Sequence, residues 1–296
     1  MKLVHFRGLN CYHDCMITLA HHIGLPYLQS FAHLWSEDDL RYDPICRVFL
    51  TRRMPQTLAS MGMSLQEPSV TQDARASDWF AMAVGDFALV GMDAYQVPWT
   101  PLYQLQHGPH YFIVQKGSTD PQICFDPTYE LQGQTILTSA LWEDAYALIS
   151  VRIQVKPTTF AKEGGSVLHE AIEVMQCHLK TSDSFLMRAK EWICGDDETA
   201  LYPAKYIDAW LSGRYLYRHF VKETFGTLEQ TPLFQSQQYF AEWQAVKGGV
   251  YKAALRRQDT AVFDEACQRF AALMRWEREA ALQIAGKRKS PDHPPA

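Results

Sequence analysis

Cys11, His110 and Asp126 are the residues whose types and placement combine most readily into one reaction centre. A thiol attacks a carbonyl or thioester carbon only as the thiolate, so a nucleophilic cysteine needs surroundings that favour a charged sulfur. Cys11 follows Asn10, a good N-cap residue, and apolar or small residues recur at Cys11, Cys15, Leu19 and Ile23 before Gly24. That pattern predicts a buried helix with Cys11 in its first turn, where unpaired N–H groups and the helix dipole favour negative charge. A nearby histidine can take the thiol proton, and a carboxylate or amide can fix the tautomer of that histidine. His110 opens a strand-like run over 111–115, and Asp126 closes another over 122–125. The intervening Gly117-Ser118-Thr119-Asp120-Pro121 reads as a hairpin connection. If the two strands pair antiparallel, the start of one lies beside the end of the other, and His110 meets Asp126 at one edge.

Other reactive residues have plainer readings. Cys15 lies one helical turn further in and fits a core position, although it is the alternative nucleophile. His107 competes with His110, but it precedes a glycine in what reads as the approach loop. Asp93 stands before a Tyr/Pro segment that it can cap or brace. Cys46, Cys124, Cys177, Cys194 and Cys267 read as structural. His13, His21 and His22 share one helix with Cys11 and Cys15, a spacing that does not converge on a tetrahedral metal, so no metal is expected.

The elements needed to position these groups follow from pattern. Runs at 87–92, 111–115, 122–125 and 147–155 are rich in β-branched and aromatic residues and bounded by turn residues. Residues 35–80 read as a polar excursion of loops and short helices. Beyond Lys156-Pro157 the apolar spacing becomes helical, at Leu168, Ile172, Met175 and Leu179, then from Pro203 through Trp210 and Tyr217. A third helix holding Tyr239, Phe240, Trp243 and Val246 meets Gly248-Gly249, and a fourth spans Val262 to Ile284. The expected fold is α+β, a helix packed on an antiparallel sheet over residues 1–156, followed by an all-helical region over 157–286. Residues 287–296 read as a disordered tail.

The chain has 296 residues, 47% of them apolar and 21% charged, which is the balance of a globular protein. Its net charge of -5 argues against a nucleic-acid binder. No apolar run reaches the ~20 residues needed to span a bilayer, and the first residues lack the pattern of a secretory signal. Seven cysteines, an odd number without pairing rhythm, suggest reduced thiols and a cytoplasmic protein.

The order of a cysteine on the first helix, a histidine at a strand start and an aspartate one strand later is similar to papain-like and bacteriocin-processing cysteine peptidases. The segments His5-Phe6-Arg7-Gly8-Leu9-Asn10-Cys11, Asp93-Ala94-Tyr95-Gln96-Val97-Pro98, Gly108-Pro109-His110-Tyr111-Phe112 and Phe125-Asp126-Pro127 resemble the N-terminal domain of the butirosin-biosynthesis acyltransferase family. The resemblance covers roughly residues 3–155 and implies a papain-like fold. It also implies transfer of an acyl group from the phosphopantetheine thiol of an acyl or peptidyl carrier protein to Cys11, and from there to a small amine. Cys11 is then nucleophile, His110 general base and acid, and Asp126 its orienter. No further cofactor is expected, because a thioester is already activated. His5 stands where papain-like enzymes place an oxyanion-stabilising glutamine, so His5, supported by Asn10 and the Cys11 backbone N–H, is the expected oxyanion donor. The C-terminal helices are the expected wall that keeps water from the acyl-enzyme. A peptidase or thioesterase would share that acyl-enzyme, and an inert binding module would keep only the fold.

Overall fold

Asn10 starts the first helix, α1 (Cys11–His22), by accepting the His13 N–H on its side-chain oxygen at 2.9 Å. Gly24 ends it with φ +76°, a left-handed conformation suited to glycine, as its N–H bonds the His21 carbonyl. Every residue from His13 through Ala20 is buried, which explains why the helix lacks a polar face. These features belong to a computed structural model that describes residues 1–37, 40–45, 47–154, 167–229, 231–256 and 260–286.

The protein is mixed α+β with an antiparallel sheet and a helical C-terminal region. After α1 come β1 (Arg41–Asp43), β2 (Val48–Leu50), α2 (Arg53–Ser60), β3 (Met63–Leu65), α3 (Gln72–Ala81) and β4 (Phe87–Asp93). Then follow β5 (Pro109–Gln115), β6 (Gln122–Asp126), β7 (Leu131–Ile136), α4 (Ala140–Glu143) and β8 (Ala145–Ile153). A six-stranded sheet runs β3-β8-β4-β5-β6-β7, every neighbouring pair antiparallel. The four strands expected from pattern are β4, β5, β6 and β8; the expected end of the last, Val155, lies outside the described residues. Residues 35–80 contain the expected short helices, α2 and α3, and short strands besides. β3 there adds an edge to the sheet, and Trp79 of α3 joins the core on one of its faces.

That face carries Ala88, Val90, Phe112, Val114, Cys124 and Leu148, packed with Trp79 and Leu141. Strand alternation puts His110 on the same face, because Val90 pairs with Phe112 and Met92 with His110. Gly91 points the other way, where a Cβ would lie 2.4 Å from the Tyr146 ring and 2.9 Å from the Tyr111 ring. Glycine in the middle of β4 is therefore a packing requirement.

The chain divides into two compact units. Met1–Ser30, Asp43–Arg47 and Met54–Thr159 form the first; Phe31–Tyr42, Val48–Arg53 and Phe160–Ala296 form the second. Segments 31–42 and 48–53 thus group with the helices. The second unit contains α5 (Val167–Ile193), α6 (Tyr202–Phe225), α7 (Gln237–Arg256) and α8 (Thr260–Gly286). Phe185, Tyr206, Trp210, Trp243 and Phe270 make its aromatic centre, with Trp210 stacked on Phe270 at 5.4 Å. Arg214 and Glu277 form a fully buried ion pair at 2.9 Å; Tyr239 Oη donates to the same carboxylate at 2.5 Å. Gly248-Gly249 does not stop α7. A Cβ at Gly249 would come within 2.8 Å of Ala266, so the glycine lets α8 approach closely instead. The expected C-terminal tail, Cys46 and the Cys177 side chain lie outside the described residues. Among the described residues no helix is long and apolar enough to cross a membrane.

Candidate active site

The hairpin of β5 and β6 sets the imidazole–carboxylate pair. Its register pairs Ile113 with Phe125, and continuing it places Asp126 opposite Phe112 and diagonal to His110 on one face. The two side chains meet there, His110 Nε2 donating to Asp126 Oδ2 at 2.7 Å, and both are buried. With Nε2 committed to Asp126, Nδ1 is the ring nitrogen left for a second partner. The residue acting on the ring beside Asp126 is Cys11, in the first turn of α1. The structure thus brings Cys11 of α1 to His110 and Asp126 of the β5–β6 hairpin, far along the chain from it.

Burial alone would lower the His110 pKa, since a charged ring loses solvation. Hydrogen bonds to Asp126 and Cys11, and the negative charge of both, outweigh it and raise the pKa to about 9. The imidazolium is therefore the favoured form at neutral pH, which is the state that stabilises an adjacent thiolate.

Asp126 is held from several sides. Trp99 Nε1 donates to Oδ2 at 2.8 Å, and the Tyr129 N–H donates to Oδ1 at 3.3 Å. The Tyr129 ring lies 5.2 Å from the His110 ring. Trp99, from the segment after β4, also packs on the core beneath the site. Neither Trp99 nor Tyr129 is marked in the sequence by a motif; both are identified only by where the loops carry them.

His5 is not isolated. Its Nδ1 lies 2.8 Å from Asp14 Oδ1, and Asp14 Oδ2 accepts from Thr128 Oγ1 at 2.9 Å. Asp14 is fully buried, whereas the His5 side chain is 41% exposed. Burial raises the Asp14 pKa to about 6, helped by the nearby Asp126 charge and opposed by His5 and Thr128. Asp14 follows Cys11 by three residues, so both side chains rise from one face of α1, roughly 5–6 Å apart at Cβ. Thr18 Oγ1 bonds both the N–H and the carbonyl of Val4 at 3.1 Å, fixing the backbone beside His5. In the sequence Asp14 reads as an ordinary first-turn acid, and its partner choice is set only by the fold. Asn10 contributes through its cap, with its side-chain oxygen spent on the His13 N–H.

The competing residues fall elsewhere. Cys15 is fully buried, and desolvation, with the charges of Cys11, Asp126 and Asp14, pushes its thiol pKa well up; it is a core residue. His107 is 77% exposed, pairs with Asp93 Oδ2 at 2.6 Å and stacks on Tyr95. Asp93 braces this loop by also accepting the N–H groups of Tyr95 and Gly108, each at 3.0 Å. His13 is buried and stays neutral, its pKa lowered to about 4 by desolvation. Among the described residues the His/Glu cluster with metal-like spacing is His33, Glu170 and Glu173, in the helical unit. Arg53 Nη1 already lies 3.0 Å from Glu173 and 3.8 Å from Glu170, so that cluster has its own cation.

The chain matches no protein-family model and no curated protein.

Proposed function

We propose that this chain is a cysteine-dependent acyltransferase of papain-like type that moves an acyl group from a carrier-protein thioester to an amine. The observation that carries the proposal is the convergence of Cys11, in the first turn of α1, with the buried, hydrogen-bonded pair His110–Asp126. The likeness of the segments around Cys11, His110 and Asp126 to the butirosin-biosynthesis acyltransferases supports the choice of a thioester donor and an amine acceptor.

In the proposed first step, the Cys11 thiolate attacks the thioester carbonyl. The bond to the donor sulfur breaks, and the proton on His110 Nδ1 goes to that leaving thiolate. Asp126 holds Nε2–H throughout, so the ring neither turns nor changes tautomer. In the second step an amine attacks the acyl-Cys11 carbonyl, the carbon–sulfur bond breaks, and neutral His110 recovers one proton as the Cys11 thiolate reforms. The Cys11 backbone N–H is one oxyanion donor; His5 serves as a second only when Nε2 carries hydrogen, because Nδ1 faces Asp14.

The test uses an acylated carrier protein incubated with the full-length chain, with and without an amine. Amide that requires both amine and protein, and is lost in Cys11→Ala, is the expected outcome. Free acid formed at the same rate with or without amine makes the protein a hydrolase. No turnover in either case refutes both.

A further inference from the structure

Making an amide from an amine at neutral pH releases two protons, and the Cys11–His110 pair has room for one. An alkylamine arrives as RNH3+ and finishes as RNH–C(=O)R′. The acyl-enzyme begins this step with neutral His110, which becomes imidazolium as the Cys11 thiolate reforms. The second proton needs another acceptor, and at pH 7 an amine with a lysine-like pKa of ~10.4 is almost entirely protonated.

His5 and Asp14 have the construction of such an acceptor. A buried carboxylate is costly, and this one is placed against a half-exposed ring rather than against a structural cation. When Asp14 is ionised, it accepts from His5 Nδ1–H, and the His5 Nε2 lone pair is left bare. Thr128, two residues past Asp126, holds the second Asp14 oxygen, so one turn supports both histidine–carboxylate pairs. The charged or titratable groups around Asp14 are His5, Asp126 and the buried Cys15 thiol; Thr128 adds a neutral hydrogen bond.

We infer that His5 and Asp14 form a second acid–base dyad, in which His5 takes the ammonium proton of the acceptor amine and Asp14 positions the ring. The inference rests on the acyl-transfer reading above. The balanced step is RNH3+ with acyl-Cys11, neutral His110 and neutral His5 giving the amide, the Cys11 thiolate, protonated His110 and protonated His5. The proton gained at Nε2 makes His5 a donor as the tetrahedral oxyanion forms. His5 is the catalytic residue of this dyad and Asp14 its positioning residue.

The test loads Cys11 with an acyl group from a carrier-protein thioester, isolates the acyl-enzyme, and measures its decay with an alkylamine and with hydroxylamine. Hydroxylamine is neutral at pH 7 and needs no prior deprotonation. The expected result in both Asp14→Asn and His5→Gln is a fall of about 10²-fold in the alkylamine-to-hydroxylamine rate ratio, the lower end of what a general base supplies. The variants' alkylamine rate should also climb tenfold per pH unit toward the amine pKa, while the unaltered protein levels off. A merely structural role would slow both amines alike. His5→Gln changes a half-exposed side chain and carries the test even if Asp14→Asn fails to fold. A ratio within twofold of the unaltered protein overturns the dyad. Absence of acyl-Cys11 in the unaltered protein instead overturns the acyl-transfer reading beneath it.

Discussion

Replacing Asp126 by Asn removes one charge while nearly preserving shape, and the structure fixes what should follow. The amide oxygen must occupy the Oδ2 position, where His110 Nε2–H and Trp99 Nε1–H both donate. The amide NH2 then faces the Tyr129 N–H, which loses its acceptor at a cost of about 1 kcal/mol. The ring orientation survives, and the electrostatics do not. At the effective dielectric of about 20 that suits even buried sites, two opposite charges about 4 Å apart attract by about 4 kcal/mol, which corresponds to about 3 pKa units. His110 should fall from about 9 to roughly 6, where Cys11 alone is left to offset burial. Acyl-enzyme formation uses the imidazolium to protonate the leaving thiol, so its rate should fall off above roughly pH 6 in Asp126→Asn instead of above about pH 9. At pH 8 the imidazolium population then drops by about 10²-fold, whereas near pH 5.5 the two proteins should differ by less than about tenfold. Rapid-quench measurement of acyl-Cys11 across pH 5–10, with an NMR titration of the His110 ring, checks this. An upper limb that stays near pH 9 in the variant would show that Asp126 does not hold the His110 proton.

The same pair links folding to pH. Because the folded-state pKa of His110 lies above its ordinary value of 6.5, its contribution is fully present below pH 6.5 and is lost as pH rises through about 9. Denaturant unfolding should show a loss of about 3 kcal/mol over that window, absent in His110→Ala. In the helical unit, Glu277→Ala should destabilise by about 3–5 kcal/mol, since it strands the buried Arg214 guanidinium. Glu242→Ala, which breaks an exposed pair with Arg269, should leave the unfolding transition almost where it was. Thermal unfolding of the two variants distinguishes these outcomes.

Parts of the site were legible in the sequence because they depend on local rules. Asn10 and Gly24 bound α1 by capping chemistry that involves only near neighbours, so the place of Cys11 in the first turn could be read directly. The 117–121 turn joins two β-rich runs, and antiparallel geometry then brings His110 near Asp126. Asp14, Trp99 and Thr128 could not be read that way. Each is an ordinary surface-type or loop residue until tertiary packing chooses its partner, 9, 27 and 114 positions away respectively. Strand β7 leaves no signal in the sequence, because Leu131–Ile136 is a largely exposed edge strand with a glycine inside and no apolar alternation. Gly248-Gly249 lies inside α7 although a pair of glycines weakens a helix in isolation. In α7 the missing side chain is instead needed for the approach of Ala266.

The central claim is that the Cys11 sulfur, held by His110, takes up an acyl group as the reactive intermediate. Intact-protein mass spectrometry after brief mixing with an acyl thioester, followed by peptide mapping, tests it most directly. The account predicts one added acyl mass on the peptide containing Cys11, none on Cys15, and none in Cys11→Ala. An unmodified protein, or an acyl group found on any other cysteine, would contradict it.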